Sequence, residues 1–212
     1  MDAIYTHFAN AGDSNDGYTQ QQIETFQHML RDLKRAGVSA PTHHLANSAA
    51  TMRGLVVPGD YVRAGLSLYG GEPLDTGGSK LEPVMRWRTA IARLKELPAG
   101  SVIGYGKTFR TSRPSRIATL PVGYADGYSR QLSNNAEVLV RDRRAPVVGR
   151  VSMDLVTIDV TDIPGALLGD EVILLGTQGG EIITAEELAK RAGTISHEVF
   201  CRLTRRVPRF YR

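Results

Sequence analysis

Apolar positions along the chain follow two rhythms, and the change between them falls near residue 84. In the first stretch, short apolar runs alternate with helical stripes. Ala3-Ile4-Tyr5-Thr6-His7-Phe8-Ala9 predicts a buried strand ending in polar residues. A loop rich in Gly, Asp, Asn and Ser follows over residues 10–17. Thr19 predicts a helix start, with Gln22 at the capping-box spacing. Ile23, Phe26, Leu30 and Leu33 recur at steps of 3, 4 and 3, which is one face of a helix. Gly37 predicts a left-handed cap at its end. Thr42-His43-His44-Leu45-Ala46 predicts a second strand, and Asn47-Ser48 opens a short helix through Met52. The apolar run Tyr61-Val62-Arg63-Ala64-Gly65-Leu66-Ser67-Leu68-Tyr69-Gly70 predicts a third strand. Strand and helix in alternation imply a parallel sheet, and three units are too few to close a barrel.

A Gly/Pro-rich joint spans residues 70–83 and contains Gly77-Gly78-Ser79. Beyond it the pattern becomes short alternating strands, predicted at 88–94, 117–122, 136–140, 146–151, 155–160 and 171–175. Turns at roughly ten-residue intervals favour an all-β module. Two late helices interrupt it. Thr184 predicts the cap of the first, with Glu187 completing a capping box and Gly193 ending it; Ser196 predicts the cap of the second. The expected domains are therefore 1–84, an α/β part, and 85–212, a β-rich part.

The hydrophobic content of 42% is enough for a core. The net charge is +4, with part of the excess in Arg202, Arg205, Arg206, Arg209 and Arg212. Leu203, Val207, Pro208 and Phe210 interrupt that tail, so it reads as an ordered strand and not a solvated nucleic-acid arm. No nucleic-acid reading module is present. A single cysteine, Cys201, excludes an intrachain disulfide and suits a reducing cytoplasm. Its apolar neighbours predict a buried thiol. No apolar stretch has the length of a membrane span, no secretory signal opens the chain, and the five histidines have no metal-ligand spacing.

Candidate chemistry begins with Val102-Ile103-Gly104-Tyr105-Gly106-Lys107-Thr108-Phe109-Arg110, followed by Pro121-Val122-Gly123-Tyr124-Ala125-Asp126-Gly127-Tyr128. Small residues on both sides let a backbone approach a ligand while a phenol projects. The same Gly-Tyr-Gly also serves as a plain hairpin corner.

Taken with Tyr5-Thr6-His7-Phe8-Ala9-Asn10-Ala11, His44-Leu45-Ala46-Asn47-Ser48-Ala49-Ala50, Arg63-Ala64-Gly65-Leu66-Ser67-Leu68-Tyr69-Gly70 and Val148-Gly149-Arg150-Val151-Ser152-Met153-Asp154, these segments resemble the pyridoxal-phosphate-dependent alanine racemases. Six motifs occur in the family's order across nearly the whole chain. The resemblance implies the last strands and helices of a TIM-type α/β barrel followed by a mainly-β C-terminal domain. It also implies pyridoxal 5'-phosphate as cofactor, an amino acid as substrate, D-alanine made for peptidoglycan in the cytoplasm, and a homodimer with shared active sites. It implies no membrane and no nucleic-acid partner.

By resemblance, Tyr105 is one of two acid–base groups and reaches the partner's cofactor. A free phenol ionises only near pH 10 or so, so nearby positive charge would have to favour its phenolate. By the resemblance, Asn47 and Ser48 would meet the cofactor phosphate at a helix start, joined by the backbone N–H groups of Gly65 and Leu66; on residues alone, Asn47-Ser48 reads first as a helix cap. Arg63 would face the pyridine nitrogen, and His7 would stack or hydrogen-bond beside the ring. Tyr124 and Met153 would line the access channel and bind substrate carboxylate, Met153 through its backbone N–H. Arg150 and Asp126 look like supporting polar residues.

There are departures from the family pattern. The family's Schiff-base lysine motif and its arginine ahead of the Tyr-Thr-His segment are absent from these 212 residues. Gly12 stands where an acidic residue is frequent, with Asp13 adjacent, and Arg205 stands where some members carry a phosphate-contacting tyrosine. Met1 falls directly before a core strand, so the chain reads as the later portion of a longer architecture, and in isolation it is expected to be inactive. The alternatives are a racemase for serine or a basic amino acid, and a non-catalytic fragment that dimerises.

Overall fold

The computed structural model describes residues 2–211, apart from Ser14, Asp16, Ala40, residues 56–58, Asp60 and residues 75–80. Met1, Arg212 and the Gly77-Gly78-Ser79 centre of the joint lie outside the described residues. The chain divides into two compact units, Met1–Val84 and Met85–Arg212.

In the first unit, β1 (Ala3–Tyr5) pairs in parallel with β2 (Thr42–His44), Ala3 opposite Thr42 and Tyr5 opposite His44. Helix α1 (Tyr18–Arg35) connects them, and α2 (Ser48–Met52) follows β2. Ile23 and Phe26 of the α1 stripe are buried with Phe8, Ala11, Leu45, Ala46, Ala49 and Ala50, while Leu30 packs at the margin. Gly37 adopts φ 75°, and the amides of Gly37 and Val38 return to the carbonyls of Lys34 and Leu33. This is the Schellman geometry expected of that glycine.

Four expectations change here. The strand expected at 3–9 is shorter, Ala3–Tyr5, and is not buried: Ala3 and Tyr5 are exposed. Thr19 does not cap α1. Gly17 occupies that position, and Thr19 is a buried helical residue whose hydroxyl has no hydrogen-bond partner among the described residues. Gln22 is drawn elsewhere: its amide donates to His7 O (2.7 Å) and Thr6 Oγ1 (3.3 Å), and its carbonyl accepts from Ala9 N (3.2 Å). The 61–70 run is not a strand either. It makes one parallel bridge, Arg63 to Asn47, and then coils into a 3-10 turn, Leu66–Tyr69. The described part of this unit is an open α/β arrangement and not a closed barrel.

The second unit is antiparallel. The strands are β3 (Trp87–Ala90), β4 (Arg93–Leu97), β5 (Val102–Ile103), β6 (Phe109–Arg110), β7 (Ser115–Leu120), β8 (Glu137–Val140), β9 (Arg143–Pro146), β10 (Val156–Asp159), β11 (Glu171–Gln178) and β12 (Glu181–Ile183). One sheet runs β10-β7-β4; another runs β12-β11-β8-β9, with β3 also paired to β11; β5 and β6 form a separate hairpin. Val138, Leu139, Val140, Ile158, Val172, Ile173 and Leu174 are fully buried between them. Helices α3 (Ala185–Ala192) and α4 (Ser196–Arg202) complete the unit.

The expected 88–94 strand is broken into β3 and β4, because Ile91 and Ala92 turn their amides to Asp170 and Thr119. The expected 146–151 strand lies earlier, as β9. Arg141 and Asp142, at φ 48° and 61°, form the two-residue turn that precedes it. Such turns ordinarily signal themselves with Asn-Gly, and this one has no glycine. Thr184 Oγ1 accepts from Glu187 N, and Gly193 adopts φ 66°, as expected of those two residues. The Glu187 carboxylate, however, is taken by Arg144 and Arg191 and not by the helix start. Ile195 is the cap of α4; Ser196 lies inside the helix and donates to Glu186. The arginine tail forms no strand among its described residues. Cys201 is exposed, because α4 turns Val199 and Phe200 towards the core instead.

Candidate active site

Arg63 organises the first unit's cluster. One guanidinium nitrogen donates to His44 O (3.1 Å) and meets His44 Nδ1 at 2.5 Å. The other donates to Thr6 O (2.8 Å) and Leu45 O (3.3 Å) and meets His7 Nδ1 at 3.1 Å. Arginine only donates, so both contacts call on the imidazole Nδ1 as the acceptor. The Tyr5 ring stacks on His44 at 5.3 Å and 3°, with the Arg63 carbon 5.2 Å from the Tyr5 centroid. All of this lies at the C-terminal ends of two parallel strands, the end where α/β architectures place their chemistry.

Asn47 and Ser48 sit at the start of α2. Asn47 Oδ1 accepts from Ala50 N (3.0 Å), so the cap is real. Ser48 is buried, and its Oγ accepts from Gly65 N (3.0 Å) and Ser67 N (3.3 Å) and lies 3.2 Å from Ser67 Oγ. Two helical starts thus converge on one hydroxyl, with Leu66 buried behind them. A methyl group built on Gly65 would meet nothing within 4 Å, so the space on that side of its Cα is open, while its amide donates to Ser48 Oγ. Backbone and hydroxyl donors around an open cradle have the chemistry of an anion site.

The second unit carries the other candidates on turns. Tyr105 follows β5 and is 74% exposed. Gly104 (φ 73°, ψ 176°) and Gly106 (φ 71°) flank it. A Cβ on Gly104 would stand 2.9 Å from Arg150 N, and one on Gly106 would stand 3.1 Å from the Arg150 guanidinium. The glycines therefore let the tyrosine turn lie directly on Arg150. Asn134 braces the same turn, donating to Thr108 Oγ1 (3.1 Å) and accepting from Gly149 N (2.5 Å).

Tyr124 and Met153 occupy two turns bound to each other. Tyr124 N donates to Ser152 O and Ala125 N to Met153 O, both at 3.0 Å. A Cβ on Gly123 would fall 2.3 Å from the carbonyl oxygens of Ser152 and Met153. Both side chains remain exposed. Tyr128, four residues on, is buried, with its ring edge-on to Trp87 at 5.8 Å. Burial pushes its phenol up, with Arg191 opposing and Glu187 adding. The two tyrosines of one motif thus have different fates, one presented and one packed.

Sequence reasoning missed His44, Tyr5, Asn134 and Arg206. His44 and Tyr5 stood inside the quoted motifs but carried no pattern of their own. Asn134 was signalled only by Asn-Asn, a pair that favours turns. Among the described residues, no group of three or more His, Cys, Asp or Glu could hold a metal, and no helix is long and apolar enough to cross a membrane. Arg205 is exposed beside Arg206.

Comparison with known proteins supplies the family. The alanine racemase C-terminal domain family matches residues 84–211, and the alanine racemase N-terminal domain family matches residues 1–73. A curated alanine racemase 2 from Caldanaerobacter subterraneus subsp. tengcongensis is 46% identical over 100% of this chain and 55% of its own length. The crystal structure of alanine racemase from D-cycloserine-producing Streptomyces lavendulae superposes with TM-score 0.93 at 34% identity, covering 99% of this chain and 56% of that one. The alanine racemase of Bartonella henselae, solved with covalently bound pyridoxal phosphate, gives TM-score 0.88 at 32% identity, covering 100% and 56%. The chain belongs to the alanine racemase family, and it spans about half the length of the curated relatives it matches.

Proposed function

We propose that this chain supplies the phosphate cradle, the ring-facing arginine and one acid–base group of a pyridoxal-phosphate-dependent racemase that interconverts L- and D-alanine. The observation that carries the reading is the pairing of the Arg63 cluster with the Ser48 cradle in one α/β unit. The donor set suits the cofactor at both ends. Ser48, Ser67 and the Gly65 and Leu66 amides would hold its phosphate, with Asn47 fixing the helix start. An arriving phosphate would draw the Gly65 amide from the Ser48 hydroxyl. Arg63 would meet the ring nitrogen as a donor and leave it unprotonated, with His7 beside the ring. Bound cofactor would supply the electron sink for α-carbanion chemistry that no side chain offers.

On this reading Tyr105 takes or returns the proton at the substrate α-carbon. Its exposure suits a phenol that works against a second copy of the enzyme. The Met153 amide and the Tyr124 hydroxyl would orient the substrate carboxylate, and the shared backbone bonds of their turns hold the two together. The second acid–base group belongs, by resemblance, to a lysine whose motif these residues do not contain. Homodimeric assembly and cytoplasmic D-alanine synthesis complete the proposal. The test is polarimetry on L-alanine by the full-length protein carrying these residues, with and without pyridoxal phosphate. Cofactor-dependent loss of rotation is expected; turnover of serine or lysine without alanine would reassign the substrate, and no turnover of any would overturn the reading.

A further inference from the structure

Arg206 lies outside every motif that signalled chemistry, yet it joins the two turns that carry Tyr124 and Met153. Its Nη2 meets Asp154 Oδ1 at 2.6 Å, and its Nε stands 3.3 Å from Asp126 Oδ1. Asp126 is largely buried, and its other oxygen accepts from Gly123 N at 2.9 Å. Asp154 directly follows Met153. The neighbouring Thr204 fastens the first turn again: its amide donates to Asp126 O (3.3 Å) and its hydroxyl to Ala125 O (2.9 Å). A Cβ on Gly127 would stand 2.5 Å from Arg202 O, so the 123–127 turn is seated on the C-terminal end of α4.

We infer that Arg206 is a positioning residue that holds the Tyr124 and Met153 turns in one register, and so sets the geometry with which the enzyme grips the substrate carboxylate. The inference rests on the proposed racemase reading. Two carboxylates on adjoining turns repel unless a cation lies between them. A planar guanidinium can bind both at fixed angles, which an ammonium cannot. Arg206 is half-exposed, so the pairs add little to stability. Their effect is on geometry, where small misplacements are costly to rate: an error of about 1 Å can cost on the order of 100-fold.

The experiment compares Arg206→Gln, Arg206→Lys and Asp154→Asn in the active full-length enzyme. KM for alanine should rise about tenfold or more in Arg206→Gln while kcat falls less, the pattern of lost substrate binding. Lysine should restore only part of the loss, and Asp154→Asn should give a smaller rise. Hydrogen exchange gives a readout independent of the reaction. In Arg206→Gln the amides of Tyr124 and Ala125 should exchange faster, while those of Leu139 and Ile173 keep their protection. Unchanged exchange at Tyr124 and Ala125, or unchanged KM in an active variant, overturns the inference. If the parent enzyme racemises nothing, the functional reading fails while the exchange result still judges the clamp.

Discussion

The two units hold their candidate residues in opposite ways. In the first, the core is a small cluster around Phe8, Ile23, Phe26 and Leu45, and order at the strand ends comes from side chains reaching backbone. Arg63 alone touches three carbonyls and two imidazoles. In the second, an apolar core of Val138, Leu139, Ile158, Ile173 and their neighbours supports turns whose tips are exposed. Tyr105, Tyr124 and Met153 are placed by glycine geometry and backbone bonds, with their side chains left reachable. The first arrangement suits a group that must grip a charged ligand. The second suits groups that must meet a reactant presented from outside. A rigid scaffold with functional tips also separates stability from function, and that separation can be tested.

The largest effect on stability should come from the second core. Leu139→Ala removes a fully buried side chain between β8 and its neighbours. It should cost about 2–5 kcal/mol by chemical denaturation. A cost as small as that of a surface change would mean the turns, and not the core, set the stability of this unit.

Acid should act next, and selectively. Burial pushes the Glu187 carboxyl up, but the hydrogen bonds and charges of Arg144 and Arg191 outweigh it and hold the group below its ordinary range. Hydrogen bonding to Arg88 does the same for Glu171, against a burial effect that raises it and with Arg86 assisting. A depressed carboxyl contributes stability that is fully present above its unfolded value, near 4.5, and lost as pH falls through its folded value. The denaturation midpoint of the second unit should therefore hold from pH 7 to about 5 and fall below about 4.5. Glu187→Gln should flatten that fall; an undiminished acid slope in the variant would count against the Arg144 network.

Much of this was legible in the sequence, for reasons that differ by element. The α1 stripe was readable because 3.6-residue periodicity survives wherever one helix face is buried, and Gly37 because few other residues accept its φ. Thr19 was misread because a capping box is only a spacing, and Gln22 had a stronger partner in the 6–9 backbone. The 61–70 run looked like a strand because apolar content cannot separate a strand from a 3-10 turn tied to Ser48. The Arg141-Asp142 turn was invisible, since its geometry ordinarily demands glycine or asparagine. At the candidate site, the glycines around Tyr105 were informative, but their reason, the close approach of Arg150, is tertiary. Arg206 could not be picked out from a run of arginines by charge alone. It is distinguished only by which two carboxylates the fold brings to it.

The smallest expected effect concerns Cys201. An exposed thiol on the outer face of α4 makes few core contacts, so Cys201→Ser should change stability by no more than about 0.5 kcal/mol. A loss of several times that amount would place the thiol in the core after all and blur the line between packed and presented residues.

The central claim is that Tyr105 is presented for proton transfer and not for packing. The direct measurement is solvent-deuterium exchange into the α-position of L- and D-alanine by the full-length enzyme and its Tyr105→Phe variant, with the denaturation midpoint taken alongside. Removing one exposed hydroxyl should leave the midpoint in place. Exchange into one enantiomer, L-alanine by resemblance, should fall by about 100- to 10,000-fold, as for loss of a positioned general base, while exchange into the other survives better. Equal and small losses for both enantiomers, or a loss of stability in place of activity, would contradict the account and return Tyr105 to the role of a hairpin corner.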